Sequence, residues 1–211
     1  MNHTGYRWVL VMLIIGCAAC ASAPIRYYTL TPPEAAKAAI IEGANLTIEV
    51  PAVHTPAQLN RVELMIRTGA TEMTLLENER WASPVNDEIR NAVRLELQHR
   101  LAHITKLAPW QGFTKLSVAL DVHRLEGELG RYALFEASWS ANVSGASRAS
   151  SDIVVKNCAF RAYEEIRGGY AAMVEGYQVE TAELADAIAA ALRSTGVGAR
   201  DPCRASPSTH E

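Results

Sequence analysis

Between Ser83 and Val143 the apolar residues change their period from four to two, and no single kind of element can satisfy both halves. Val85, Ile89, Val93, Leu97 and Leu101 recur every four positions, with Arg90, Arg94, Gln98 and Arg100 between them. That spacing predicts an amphipathic helix to about Ile104. Ser83 is a favoured N-cap residue and Pro84 suits the first helical position. Asp87 and Glu88 follow in the opening turns, where acids complement the helix dipole. After Pro109 the pattern alternates. Leu116, Val118, Leu120 and Val122 form one series, and Ala133, Phe135, Ala137, Trp139, Ala141 and Val143 a second. Two long strands, each with one buried face, follow from a period of two.

The remaining segments extend this plan. Ile25–Thr31, IRYYTLT, is rich in aromatic and β-branched residues and stops at Pro32-Pro33, which reads as a strand. The Ala-rich stretch Glu34–Ala44 reads as a loop or short helix. Leu46–Val53 is a second strand with a bulge or edge at Pro51. Leu59–Arg67 and Glu72–Glu77 flank Thr68-Gly69-Ala70 as a hairpin. Asp152–Ala162 adds a third member to an antiparallel meander. Gly168-Gly169 then breaks the chain before a second helix, Tyr170–Arg193. The expected fold is α+β: a two-layer domain with a largely antiparallel or mixed twisted sheet and two long amphipathic helices. Residues 196–211, rich in Gly, Pro, Ser and charge, are expected to be disordered.

The amino terminus reads as an address. Met1–Arg7 carries positive charge and no acid, an apolar run spans Trp8–Ile15, and small residues follow. This is the order of a secretory signal, and the run is much shorter than the roughly 20 residues of a membrane-spanning helix. Ile14-Ile15-Gly16-Cys17 resembles a bacterial lipobox, in which the cysteine thiol becomes a thioether to diacylglycerol. Cys20 offers a second register, but its aliphatic position is occupied by Cys17. The expected division is 1–16 lipoprotein signal peptide, 17–24 lipidated linker, 25–195 one domain and 196–211 tail. Ala18 follows Cys17, where an Asp would favour retention at the inner membrane in enteric-type bacteria. Outer-membrane sorting, facing the periplasm, is therefore expected in a cell with two membranes.

Composition narrows the chemistry. Without residues 1–16, Arg7 is lost from 20 basic residues while 23 acidic ones remain, a formal charge of about −4. No basic patch with interleaved aromatics appears, so nucleic acid is a poor partner. Two further cysteines, Cys158 and Cys203, fit either a disulfide in an oxidising compartment or a buried free thiol and an exposed one. His99 and His103 share a helix face, but no Glu stands between them as in a zinc-protease helix, and they read as surface residues. The acids Glu126, Glu128, Glu164 and Glu165 read as solvated. Trp81 before the helix reads as a hydrophobic staple, and Trp139 as core. No GxSxG and no phosphate-binding loop is present, and no metal or cofactor is expected.

Several of these segments together resemble one family. RYYTL follows the lipobox, VELMIRTGATEMTLLENERWASPVNDEIRNAVRLELQHRL spans the hairpin and first helix, and ALFEASWSANV and ELADAIAAAL come later. The chain is similar to the PqiC/YmbA family of ABC-type transport auxiliary lipoproteins, from about Arg26 to Leu192. The most specific piece is Arg80–Pro84, read as structural at Arg80, Trp81, Ser83 and Pro84. The resemblance implies a non-enzymatic outer-membrane lipoprotein of a lipid-transport system. It also implies partners: an MCE-domain (mammalian cell entry) protein that spans the periplasm and an inner-membrane component. Self-association into a homo-oligomer is compatible with it. The different reading kept beside it is a periplasmic domain that itself holds a lipid in an apolar cavity.

Overall fold

A computed structural model describes residues 23–33, 46–101, 113–145, 153–194 and Cys203. In chain order the elements are β1 (Arg26–Tyr28), β2 (Thr47–His54), a 3-10 turn (Ala57–Leu59), β3 (Glu63–Arg67) and β4 (Met73–Trp81). Then come α1 (Val85–Leu101), β5 (Phe113–Glu128), β6 (Tyr132–Gly145), β7 (Ile153–Glu165) and α2 (Tyr170–Ser194). The fold is α+β with open mixed sheets and two helices.

The strands divide between two sheets, where the sequence had suggested one. One is three-stranded in the order β1-β4-β3, and the other four-stranded in the order β2-β5-β6-β7. The hairpin β3–β4 is antiparallel, while β1 joins β4 in parallel. β5, β6 and β7 form the expected antiparallel meander. β2 lies parallel to β5 on the edge of that sheet, with a register irregularity between Glu49 and Ala52. Pro51 falls within the irregularity, where its missing N–H leaves no gap in the ladder. The parallel pairings were not legible from periodicity, because alternation fixes which face a residue takes and not which strand lies beside it.

The alternating series carry the core. Leu116, Val118, Leu120 and Val122 on β5 and Ala137, Trp139, Ala141 and Val143 on β6 are buried. Both helices pack on the four-stranded sheet, α1 against β2 and α2 against β6 and β7, and they pack on each other. From α1 come Val85, Ile89, Val93, Leu97 and Leu101, all buried, so the spacing of four marked the inward stripe. Close approach of α2 to the sheet depends on Gly176. A Cβ there would fall 2.9 Å from the Ala133 Cβ and 3.1 Å from Ile166 Cγ2. The opposite face of the meander carries Ser117, Asp121 and Ser138, as expected of an antiparallel sheet with one wet side. A tight turn joins β5 to β6, with Gly130 at φ +72° and Arg131 N donating to Glu128 O at 3.0 Å. This is a conformation that favours glycine.

Candidate functional site

The two segments that carried the family resemblance most strongly, RYYTL and RWASP, lie side by side although about fifty residues separate them. β1 pairs with the end of β4: Arg26 with Glu79, Tyr27 with Arg80, and Tyr28 with Trp81. The ladder runs on as Ala82 N donates to Tyr28 O at 2.7 Å. This junction is where a chain arriving from an anchored amino terminus would enter the domain.

Two buried carboxylates hold the junction. Glu79 on β4 accepts from Tyr28 Oη at 2.7 Å and from Arg26 Nε at 3.0 Å, with Arg26 Nη2 also on Oε1. The Arg26 guanidinium stands over the Tyr170 ring, 5.7 Å from its centroid, which brings α2 into the cluster. The bond from Glu79 holds the Arg26 guanidinium above its ordinary value. Burial, and then the bond to Glu79, push the Tyr28 hydroxyl up.

Glu88, in the first turn of α1, is the second. Its Oε2 accepts from Thr29 Oγ1 at 2.7 Å and from Leu30 N at 3.0 Å, and its Oε1 accepts from Ser83 Oγ at 2.7 Å. A carboxylate at a helix amino terminus also gains from the helix dipole. Gln178 of α2 adds a bond from Nε2 to Thr29 O at 2.9 Å. The segment after β1 is thus tied to both helices.

The structure corrects the expected role of Ser83. Its hydroxyl donates to the Glu88 side chain, while the Pro84 carbonyl accepts the Asp87 and Glu88 amides at 2.8 and 3.1 Å. The helix therefore opens on Pro84 as its half-in residue. Arg80 donates from Nε to Glu77 O at 3.0 Å. Trp81 is buried, with its ring 6.2 Å from that of Tyr177 on α2. With Leu64, Leu125 and Met173 these rings line a cleft of about 20 Å³. Such a volume holds about one water molecule and no acyl chain.

A third carboxylate was misread from sequence as solvated. Glu126 on β5 is buried and accepts from Arg67 Nε at 3.1 Å, Arg67 Nη2 at 2.8 Å, Tyr132 Oη at 3.0 Å and Arg124 Nη2. Arg67 belongs to β3, so this cluster clips the three-stranded sheet to the four-stranded one. Burial pushes the Glu126 carboxyl up, but bonds from Arg67, Arg124 and Tyr132 outweigh it and bring the carboxyl down to about 2. Glu128 pairs with Arg131 at 2.5 Å. Glu164 and Glu165 lie at the end of β7, half-buried and exposed.

Glu180 on α2 is the opposite case. It is fully buried, and no side chain donates to either carboxylate oxygen. Burial, then Glu164 and Glu183, push it up to about 9, while the backbone amides of Glu164 and Phe135 pull slightly the other way. Sequence gave no sign of it, because one Glu within an Ala-rich helix looks like a solvent position.

The other residues singled out from sequence lie apart from the junction. Cys17, Cys20 and His103 fall outside the described residues, and His99 is exposed. Among the described residues no group of three or more His, Cys, Asp or Glu side chains could hold a metal ion. Cys158 on β7 is bonded to Cys203, with Cα atoms 5.1 Å apart. Cys203, in the tail expected to be disordered, is partly buried against the core. No helix among the described residues is long and apolar enough to cross a membrane.

The first strand is latched, and the buried acids Glu79 and Glu88 at the junction are both answered by donors. The class comes from the family match: an auxiliary lipoprotein component of a transport system. The model for the ABC-type transport auxiliary lipoprotein component matches residues 28–189, and the chain belongs to that family. The solved structures it is similar to include one described as an uncharacterized protein: 18% identity, 79% of this chain and 97% of that one covered, and a TM-score of 0.57. Another, from Xanthomonas campestris, is 13% identical, covers 80% of this chain and 91% of its own, and has a TM-score of 0.45. A putative lipoprotein from Caulobacter crescentus is 16% identical over 48% of this chain and 77% of its own, with a TM-score of 0.32. The first shows the shared fold. No curated protein matches the sequence.

Proposed function

We propose that this chain is an outer-membrane lipoprotein that docks and tethers an MCE-type intermembrane lipid transport assembly, without catalysing a reaction. Acyl chains on Cys17 hold the domain at the periplasmic leaflet. Its protein surface receives the end of the MCE-domain protein that connects to the inner-membrane component. Lipid then crosses the periplasm without exposing its apolar area to water, a cost of roughly 25 cal/mol per Å².

The observation that supports this reading is the bonding of β1. The strand nearest the lipobox is fixed by Glu79 to β4 and, through the residues after it, by Glu88 to α1. Force or position set by an anchor would pass directly into the folded body. The alternative, a domain that carries lipid internally, gains nothing from the cleft beside Trp81, which is of water size.

Palmitate labelling tests the anchor. Wild type should label and Cys17→Ala should not; continued labelling of Cys17→Ala moves the site to Cys20. Docking is tested by mild-detergent extraction. An MCE-domain partner should co-purify, and its repeated absence would count against this function.

A further inference from the structure

Among the described residues, the large apolar side chains left most exposed include Ile25 at 45% and Tyr27 at 65%. The others stand singly or are paired elsewhere. Leu75 lies toward the hairpin end of β4, Val179 is on α2, and Tyr163 stacks on Tyr132 with centroids 5.4 Å apart. Ile25 and Tyr27 are two residues apart on extended chain, so they project to the same side. Their neighbours Arg26 and Tyr28 point the other way, into the Glu79 cluster. Tyr27 pairs with Arg80 in a parallel ladder, so the Arg80 side chain belongs to the same face. The patch is therefore an aliphatic residue and a phenol at the edge strand β1 and a guanidinium beside them on β4.

Position says what covers it. This step rests on the reading that Cys17 carries the lipid. Eight residues separate Cys17 from Ile25, and a fully extended chain spans at most about 3.6 Å per residue, so about 29 Å in all. A compact domain of about 170 residues is about 40 Å across. Such a leash cannot pass around the body, so the side of the domain that meets the membrane is the side where β1 begins.

We infer that Ile25, Tyr27 and Arg80 form a membrane-contacting patch, seated in the headgroup layer of the bilayer that holds the acyl anchor. The chemistry matches that layer. Tyrosine favours the interface because its ring is apolar and its hydroxyl stays wet. Ile25 adds apolar area to be buried about 5–10 Å deep, and an arginine suits lipid phosphate. The patch gives the tethered domain one preferred orientation, with the start of β1 toward the membrane and the carboxy-terminal end of α2 away from it: Arg26 meets Tyr170 at the start of that helix and Thr29 meets Gln178 further along.

Photo-crosslinking of the full-length lipoprotein in phosphatidylethanolamine–phosphatidylglycerol vesicles tests this. One variant carries Tyr27→p-benzoylphenylalanine; the control carries Arg193→p-benzoylphenylalanine, exposed at the carboxy-terminal end of α2. On irradiation the residue-27 variant should gain the mass of a phospholipid, and the residue-193 variant should not. The intact mass of the same sample reports whether Cys17 is acylated. An acylated chain with no lipid adduct at residue 27, or with equal adducts at both positions, overturns the patch and leaves the tethering reading intact. Crosslinking at residue 27 to a second copy or another protein also overturns it. An unacylated chain overturns both.

Discussion

The two halves of this domain are held by opposite means. The three-stranded sheet adds Leu64, Ile66 and Trp81 to the core, and its links to the rest of the domain run through buried carboxylates with several donors each: Glu79, Glu88 and Glu126. The four-stranded sheet and its helices rest on packed Leu, Val and Ala, and there the one buried carboxylate on α2, Glu180, has no side-chain donor. A short strand pair cannot bury enough surface to hold itself, so it is fixed by charge-assisted bonds. A broad apolar interface has stability to spare and can contain a neutral acid. The partnered half also contains β1, the first strand of the chain.

This contrast makes the halves respond differently to change. The largest effect should come from the disulfide of the four-stranded half. Its bond closes a loop of 45 residues. Chain entropy puts the expected loss for Cys158→Ser with Cys203→Ser at about 4 kcal/mol, read by denaturant unfolding. Next is Glu180→Leu. The folded carboxyl, pushed up to about 9, lies above its ordinary value of 4.5, so the protonated form is the one the fold favours. Its stabilising share is whole below pH 4.5 and falls away as pH rises towards 9. Glu180→Leu should gain on the order of 3 kcal/mol at neutral pH and flatten the slope of stability between those limits. No gain would mean that the carboxylate is answered after all.

In the latched half the signs reverse. Glu88→Ala strands the Leu30 amide and the Thr29 and Ser83 hydroxyls. The expected loss is about 2 kcal/mol, with faster amide exchange in β1 and the residues after it than in β6. Glu126→Gln should cost about 1 kcal/mol above pH 4.5, partly screened by solvent, and loosen β3 against β5. Because the Glu126 carboxyl is lowered to about 2, its contribution is present above pH 4.5 and disappears as pH falls through 2. Amide exchange of β3 across an acid titration would read this. Protection of β3 in the wild type that instead fell as pH rose from 2 to 4.5 would contradict the ion-pair account.

How much of this the sequence disclosed follows from what each signal encodes. Periodicity marked α1, α2 and the meander, because burial of one face imposes the spacing directly. It missed the split into two sheets and both parallel pairings, since strand partners are chosen by packing across long stretches of chain. Turn and cap chemistry placed the start of α1 within a residue but misassigned Ser83, whose hydroxyl was captured by a nearby carboxylate. The RYYTL and RWASP segments were visible as family signatures; that they touch was not. Of the acids, Glu126 looked exposed because its arginines lie on β3 and within its own strand, and Glu180 because no neighbour in sequence hints at burial. Glu79 had a faint signal, two residues before a buried Trp81 on the same strand face.

The whole functional reading depends on the chain being held by its amino terminus, next to the strand that Glu79 ties to β4. The intact mass of the mature polypeptide extracted from membranes tests that most directly. It should begin at Cys17 and carry the added mass of acyl chains. An uncut leader from Met1, or an unmodified chain found free in the periplasm, would contradict it.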